Sequence, residues 1–291
     1  MLLQYLYDSL QVWIYLALAS LAFSLASLGC RHFNMVTGLG FLVGPYVTLS
    51  VAKIAPLPVS LIVGCVCSVL LGIAYQKMSA SLFQVGARPG QQLIISLAVL
   101  TIGQNLIVLL YDNSSHNLWP VSDHDILISS APITVTRQQI MYLLAGCTVL
   151  VLWFFVWYKT LLGVAIRGLV DSRFNMLLKG YSVGALEGLI VGVAFLIAGV
   201  AGVMWGINLR FHPAMGFEVG VIGFVASIVG PMLVRGPAGI LAAALLMTLL
   251  KLLLSLTLEG DWAMASYAML LGLALFTKKS PVFTESAFRQ Q

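Results

Sequence analysis

The chain has 291 residues, of which 60% are hydrophobic and only 9% are charged, and its mean hydropathy is +1.00. This composition excludes an ordinary soluble domain, in which about a quarter of the residues are charged. The formal net charge of +5 is compatible with nucleic-acid binding. In so apolar a chain, however, basic residues usually mark orientation in a membrane, and no nucleic-acid partner is predicted.

Apolar runs predict eight or nine membrane-spanning helices, because about 20 apolar residues cross a hydrocarbon core. In chain order the predicted spans are residues 10–29, 33–52, 57–75, 91–111, 139–158, 185–206, 218–234, 236–257 and 263–277. No lysine or arginine precedes Arg31, so we expect a retained first helix instead of a cleaved signal. The predicted fold class is an all-α, polytopic transmembrane protein with a single domain over residues 1–291.

Two of these spans, 33–52 and 218–234, are short and interrupted by glycine and proline. The residues concerned are Gly38, Gly40, Gly44 and Pro45 in the first span, and Gly220, Gly223, Gly230 and Pro231 in the second. Broken helices in two halves of a chain indicate a transport pathway, because their freed backbone groups must be satisfied by protein or by a water-filled cavity. Tight helix packing through small residues explains the same pattern equally well.

The segments between the spans predict the orientation of the chain. Most basic residues fall on one side of the nine predicted spans, and that side includes residues 159–184 and the C-terminus. The positive-inside rule makes this side cytoplasmic, so the N-terminus and the long segment 112–138 are expected in the periplasm. We predict no helix around Trp119 and Pro120 in that segment.

The basic loop 159–184 contains regularly spaced small residues. It reads Gly163-Val-Ala165-Ile-Arg167-Gly168-Leu-Val-Asp171-Ser-Arg173 and continues to Leu178-Lys-Gly180. The small residues allow a short helix to lie close to a partner surface, and the charged residues offer charge contacts.

Further motifs occur in a fixed order along the chain. They are Asn34-Met-Val-Thr37-Gly38, Gly44-Pro-Tyr46-Val, the pair Gln104-Asn105, Ala-Gly-Val-Ala-Gly-Val at 198–203 and Pro-Ala-Met-Gly-Phe at 213–217. Together with the loop, and over about residues 16–277, these motifs resemble the branched-chain amino-acid permease family of ABC importers. The chain departs from the family pattern at Thr37, where a histidine is usual, at Ile222, where a lysine is usual, and at Gly168, which replaces an alanine.

The resemblance implies a permease subunit in a bacterial inner membrane that works by alternating access. The implied partners are a second related permease subunit, as a homodimer or heterodimer, two cytoplasmic ATPases and a periplasmic solute-binding protein. The expected solute is small and neutral or zwitterionic, most simply a branched-chain or other amino acid, with urea or a short amide as the alternative. An ATP-independent carrier or channel, and an assembly subunit with a decayed pathway, are the hypotheses from other classes.

The sequence carries no signature of an enzyme, such as a phosphate-binding loop, a zinc-protease motif or a nucleophile elbow. We therefore predict no catalytic residues, no metal ligands and no cofactor on this chain, with ATP and Mg²⁺ on the partner subunits. The residues expected to couple to an ATPase are Gly163, Ala165, Arg167, Gly168, Asp171, Arg173 and Gly180. The residues expected to line the pathway are Asn34, Thr37, Gly38, Gly44, Tyr46, Gln104 and Asn105.

Overall fold

The computed structural model describes residues 2–118, 126–130, 133–234 and 236–257, together with Tyr267 and Met269. Within these residues lie ten helices and one antiparallel two-stranded hairpin. The helices are α1 (Leu2–Cys30), α2 (Thr37–Val51), α3 (Leu57–Gln84), α4 (Pro89–Tyr111), α5 (Arg137–Lys159), α6 (Leu161–Asp171), α7 (Arg173–Leu178), α8 (Val183–Asn208), α9 (Met215–Leu233) and α10 (Pro237–Thr257), and the strands are β1 (Ile126–Ser130) and β2 (Ile133–Thr136).

Seven of the described helices are long and apolar enough to cross a membrane, namely α1, α3, α4, α5, α8, α9 and α10. The apolar helix α2 is shorter, with 15 residues. In chain order these eight helices correspond to the first eight predicted spans, which confirms an all-α, multi-pass membrane fold. The ninth predicted span, 263–277, lies almost entirely outside the described residues.

The predicted span ends are close to the observed helix ends at most positions. Apart from α2, which begins at Thr37 instead of residue 33, the exceptions are α1, which begins well before residue 10, and α3, which continues to Gln84 instead of ending near Tyr75. Polar residues lower the hydropathy at both places, but neither stretch contains a helix breaker. The α3 helix stops just before Gly86, whose φ of +89° an L side chain rarely adopts.

The helices α1 and α8 pack along each other at the centre of the bundle. Buried residues make up 72% of the apolar stretch of α1 and 67% of that of α8, but only 17% of that of α4. The helices α2 and α9 pack against this central pair, and α3, α4, α5 and α10 lie around it. The outer helices expose apolar side chains such as Ile62, Leu109 and Leu144, as suits surfaces in contact with lipid.

The helices α2 and α9 begin inside the bundle. Residues 31–36 before α2 and residues 209–214 before α9 are non-helical. In the first turn of α2, Leu39 lies against Gly103, and the Gln104 amide donates a hydrogen bond of 2.9 Å to the carbonyl of Pro213. Because residues 103 and 104 are near the middle of α4, both short helices start well inside the bundle.

The structure shows where the helices predicted to be interrupted, at residues 33–52 and 218–234, depart from helical conformation. Both α2 and α9 are continuous helices, although Pro45 and Pro231 lie within them. The chain is instead interrupted before each helix, where the non-helical stretches enter the protein interior. The freed backbone groups are satisfied by protein, as described below for residues 31–36.

The glycines of the short helices bring backbones into close contact. A methyl group on Gly38 would fall on the carbonyl oxygen of Gly216, and one on Gly44 would lie 2.7 Å from that of Gly199. A methyl group on Gly202 of α8 would likewise fall on the carbonyl oxygen of Phe41. Small residues therefore serve tight helix packing here, as the second interpretation of the pattern predicted.

The segment 112–138 contains the β1–β2 hairpin and the start of α5. Strand pairing runs from Ile126 opposite Thr136 to Ser130 opposite Ile133. Thr136 then caps α5, because its hydroxyl accepts a hydrogen bond from the backbone N–H of Gln139. Trp119 and Pro120 lie outside the described residues.

Candidate functional site

The predicted coupling loop folds into two short helices with well-defined joints. Thr160 caps α6, because its hydroxyl accepts a hydrogen bond of 3.3 Å from the backbone N–H of Gly163. Ser172 both ends α6 and caps α7, since its hydroxyl accepts a hydrogen bond of 3.3 Å from the N–H of Asn175. Because one residue serves both helices, α6 and α7 meet at an angle without a flexible linker.

Gly180 ends α7 in a left-handed conformation with φ of +80°. Its N–H donates to the carbonyl of Leu177 at 2.9 Å, and the N–H of Tyr181 donates to that of Met176 at 3.1 Å. This pair of hydrogen bonds is a Schellman motif, which favours glycine because an L side chain is strained there. The structure thus gives Gly180 a definite structural reason to be glycine.

One face of α6 packs against the bundle through Gly163, Ile166 and Leu169. A methyl group on Gly163 would fall on the carbonyl of Trp157, and one on Gly168 would lie 2.8 Å from the sulfur of Met176 in α7. The opposite face is apolar and exposed. Its members, each more than half exposed, are Leu161 and Val164 of α6 and Phe174, Leu177 and Leu178 of α7, whereas Val170 is also half exposed but borders two cavities.

The charged residues of α6 lie beside a cavity. Arg167 and Asp171, one helical turn apart, line a cavity of about 680 Å³ together with Trp157 and Tyr158 of α5. Ala165 is partly buried and packs against the core. The side chains of Arg167 and Asp171 therefore lie at the edge of the bundle, beside the exposed apolar face.

Arg173, at the start of α7, is joined to the bundle by a buried ion-pair cluster. Its guanidinium contacts the carboxylate of Glu187 in α8, which is only 3% exposed. Arg31, at the end of α1, binds both oxygens of the same carboxylate, with Nε at 3.2 Å and Nη2 at 3.3 Å. The cluster thus connects the loop, the central helix α8 and the non-helical stretch that leads into α2.

Asn34 organises that non-helical stretch and is fully buried. Its side-chain oxygen accepts a hydrogen bond of 3.0 Å from the N–H of Val36, and its backbone N–H donates to the Ser27 hydroxyl at 3.1 Å. Thr37, also fully buried, donates to the Asn34 carbonyl at 3.0 Å. Ser96 of α4 accepts from the N–H of Met35 at 3.2 Å. Both predicted pathway residues therefore satisfy backbone groups in the apolar interior.

The remaining predicted pathway residues fall in two places. Gly38, Gly44 and Tyr46 are buried, and the Tyr46 ring packs against Tyr111 and Phe211 at centroid distances of 4.9 and 5.0 Å. Gln104 and Asn105 point in different directions. The Gln104 amide reaches inward to Pro213, whereas Asn105 is exposed on the outer surface of α4 and donates to the Thr101 carbonyl at 2.8 Å.

A comparison with protein families decides the class of this architecture. The family model for the permease component of branched-chain amino acid transport systems matches residues 5–276. The chain belongs to this permease family. Searches of curated proteins and of solved structures found no match. The resemblance drawn from the sequence motifs is confirmed, and the chain is a multi-pass membrane permease.

The structure of the permease adds two residues that the sequence analysis did not select. Glu187 and Arg31 complete the ion-pair cluster around Arg173. A single glutamate in the first turns of an otherwise uncharged span, directly after a basic loop, is the signal that points to such a pair. In the described residues, no group of three or more His, Cys, Asp or Glu side chains is placed to hold a metal ion.

Proposed function

We propose that the permease is one membrane subunit of a bacterial ABC importer. We also propose that α6 and α7 together, here called the elbow (residues 161–178), form its docking site for a cytoplasmic ATPase. The observation that carries this proposal is the exposed apolar face of α6 and α7. Five large apolar side chains project from two short helices at one end of the bundle, next to charged residues. Such a patch is typical of a protein interface, and the joints at Thr160, Ser172 and Gly180 keep it rigid.

A rigid elbow can transmit a push from the ATPase to the transmembrane helices. Arg173 moves with α7, and its partner Glu187 lies in the first turns of α8. Glu187 also holds Arg31, which ends α1 and precedes the buried stretch 31–36. Displacement of α7 is therefore passed to α8 and to the start of α2 through one carboxylate, which supports alternating access by rocking of packed helices.

The other components follow from the same proposal. The complex contains a second permease subunit, two ATPases that bind ATP and Mg²⁺, and a periplasmic solute-binding protein. The chain is oriented with its N-terminus in the periplasm and its C-terminus in the cytoplasm of a bacterial inner membrane. The proposed solute is a branched-chain or other small zwitterionic amino acid, in agreement with the family and with the scarcity of charges in the spans.

The outer surface of α4 is a candidate wall of the pathway between two permease subunits. Thr101 and Asn105 are exposed one turn apart near the middle of α4, where contact with lipid is unfavourable for polar side chains. The inner residues Gly38 and Gly44 are, by contrast, packed against other backbones in this conformation. A pathway along α4 would place these two polar side chains in water.

The docking proposal predicts that Phe174→Ala with Leu178→Ala separates the permease from its ATPase. Each side chain contributes about 1.5–3 kcal/mol when buried, so the pair should weaken association by about 10²-fold to 10⁴-fold. Because Phe174 and Leu178 are 66% and 71% exposed, the fold of the permease should be unchanged. The measurement is co-purification of the ATPase with tagged permease from membranes.

Val85→Ala is the matched control, since Val85 is 87% exposed and lies in the α3–α4 turn at the same end of the bundle. It should retain the ATPase. Equal retention in the double variant would exclude the elbow as the docking site. If no ATPase co-purifies with the wild-type permease, the hypothesis of an ATP-independent carrier is favoured.

The pathway proposal predicts that a cysteine at position 105 reacts with a water-soluble maleimide in the assembled transporter. Cys147 provides an internal comparison, because it is exposed on the outer surface of α5. Asn105→Cys should label several-fold faster than Cys147, as measured by mass spectrometry of the labelled peptides, and added solute should slow it. Labelling at the rate of Cys147 would mean that α4 faces lipid at this position.

A further inference from the structure

A second cavity lies at the same end of the bundle as α6 and α7, between the ends of α1, α3 and α8. Its volume is about 320 Å³. Polar and charged groups line much of it, and they belong to Arg31, Gln76, Ser79, Gln84, Gly184 and Glu187. A cavity of this kind next to charged groups is suited to a small polar ligand.

The charges around the cavity do not cancel. Arg31 and Arg173 share the single carboxylate of Glu187, so the cluster carries a net positive charge. Arg31 uses two N–H groups on Glu187, and a guanidinium has five. Its position is fixed by the ring of Phe83, whose centroid is 5.4 Å away. The remaining Arg31 donors are available to an acceptor in the cavity.

The N-terminus of α8 opens at the same place. Ser182 makes no side-chain capping hydrogen bond, and the first helical hydrogen bond runs from the N–H of Leu186 to the carbonyl of Ser182. The N–H groups of residues 183–185 precede that bond, and Gly184 lines the cavity. The start of this 26-residue helix therefore favours negative charge there.

Gln76 gives an independent indication of a ligand. Its side chain is only 8% exposed and lines the cavity, yet its amide has no hydrogen-bond partner in the described parts of the chain. By comparison, the nearby Ser79 is satisfied, because its hydroxyl donates to the Gln92 side chain at 2.7 Å. The amide is open to the cavity, so an acceptor bound there can receive a hydrogen bond from its N–H groups.

We infer that this cavity binds an oxyanion, either a phosphate or a carboxylate. Arg31, the first N–H groups of α8 and the Gln76 amide supply the donors, and the Glu187 carboxylate at the wall is neutralised by two arginines. The oxyanion has two possible sources, the phosphate of a lipid headgroup or a free anion in solution. Because a bound anion would attract Arg31, its occupancy is linked to the ion-pair cluster. This inference does not depend on the docking proposal.

The test is a thermal-unfolding titration of the full chain in micelles of a maltoside detergent, which contains neither phosphate nor carboxylate. Inorganic phosphate should raise the melting temperature by several degrees to a plateau, beyond chloride of the same ionic strength, because a ligand of the folded state stabilises it. Acetate tests the carboxylate, and micelles containing phosphatidylglycerol test the lipid headgroup. A shift with only the anionic lipid identifies a lipid site, and a shift with phosphate or acetate identifies a free anion.

The variants Gln76→Met and Lys77→Gln distinguish binding of the anion in the cavity from a general effect of the positive charge of the protein. Gln76→Met keeps the side-chain size but removes the donor, so the saturable shift should disappear. Lys77 is exposed next to Gln76 in α3 and does not line the cavity, so Lys77→Gln should keep the shift despite its lost charge. The inference is overturned if no probe gives a saturable shift in the wild type, or if Gln76→Met retains it.

Discussion

Glu187→Gln is expected to abolish solute uptake by the assembled transporter while ATP hydrolysis continues. The carboxylate is the only group in the described structure that joins Arg173 of the elbow to Arg31 of the core. A neutral amide leaves the charges of the two guanidinium groups uncompensated, so that they would repel each other. The elbow would still dock, but its movement would no longer reach α8 and α2. Uptake and ATPase rates in proteoliposomes measure the ratio of solute moved to ATP hydrolysed.

The same substitution should lower the stability of the permease. Removing one partner of a buried ion pair costs about 3–5 kcal/mol. We expect a value of about 3 kcal/mol, because the Arg31 side chain is 38% exposed and is partly hydrated. Thermal unfolding in detergent gives this value independently of the ATPase.

Two variants serve as controls for Glu187. Asp112→Asn removes an exposed acid at the end of α4, outside the elbow, and should leave the transport ratio unchanged. Glu187→Asp keeps the charge and should restore part of the uptake, which a purely structural defect would not show. Normal uptake by Glu187→Gln would mean that the cluster plays no part in coupling.

Gly38→Ala is expected to destabilise the permease by about 3 kcal/mol, the upper end of the usual cost of overpacking. The added methyl group would meet the carbonyl oxygen of Gly216, which belongs to the backbone of α9. A backbone cannot move aside as the end of a flexible side chain can, so α2 and α9 would have to separate. The measurement is thermal unfolding together with the yield of folded protein.

Gly192→Ala on α8 is the matched control. Its nearest neighbour would be a methyl group of Val69 at 3.8 Å, which is an ordinary contact distance. Alanine is favoured over glycine within a helix by about 0.8–1.0 kcal/mol, so this variant should be as stable as the wild type or more stable. Equal stability of both variants would contradict the close packing of α2 on α9.

The spans were predictable because their hydropathy needs no tertiary information. The eight helices follow from apolar runs, and Thr136, Thr160 and Ser172 are capping residues that a sequence can reveal. The ends of α1 and α3 were less predictable, since a helix can continue into polar sequence when no glycine or proline stops it. Hydropathy locates the apolar part of a span, but it does not locate the residue at which the hydrogen-bonded helix ends.

The interior of the site could not be derived from the sequence in the same way. The glycine pattern fitted both an interrupted helix and close packing, and only the positions of Gly216 and Gly199 show that packing explains Gly38 and Gly44. The pair Gln104-Asn105 is adjacent in sequence but divided between the interior and the outer surface. Glu187 gained its importance from two arginines that are distant in sequence.

The internal start of α2 and α9 has a consequence for ion leakage. Each helix N-terminus carries about half a positive charge from its aligned peptide groups. Two such ends lie near the middle of the subunit, where Gly38 meets Gly216. A sodium ion or proton passing through the subunit would meet this positive potential with little water to screen it. We therefore expect the core of the subunit to hinder the leakage of cations along this route.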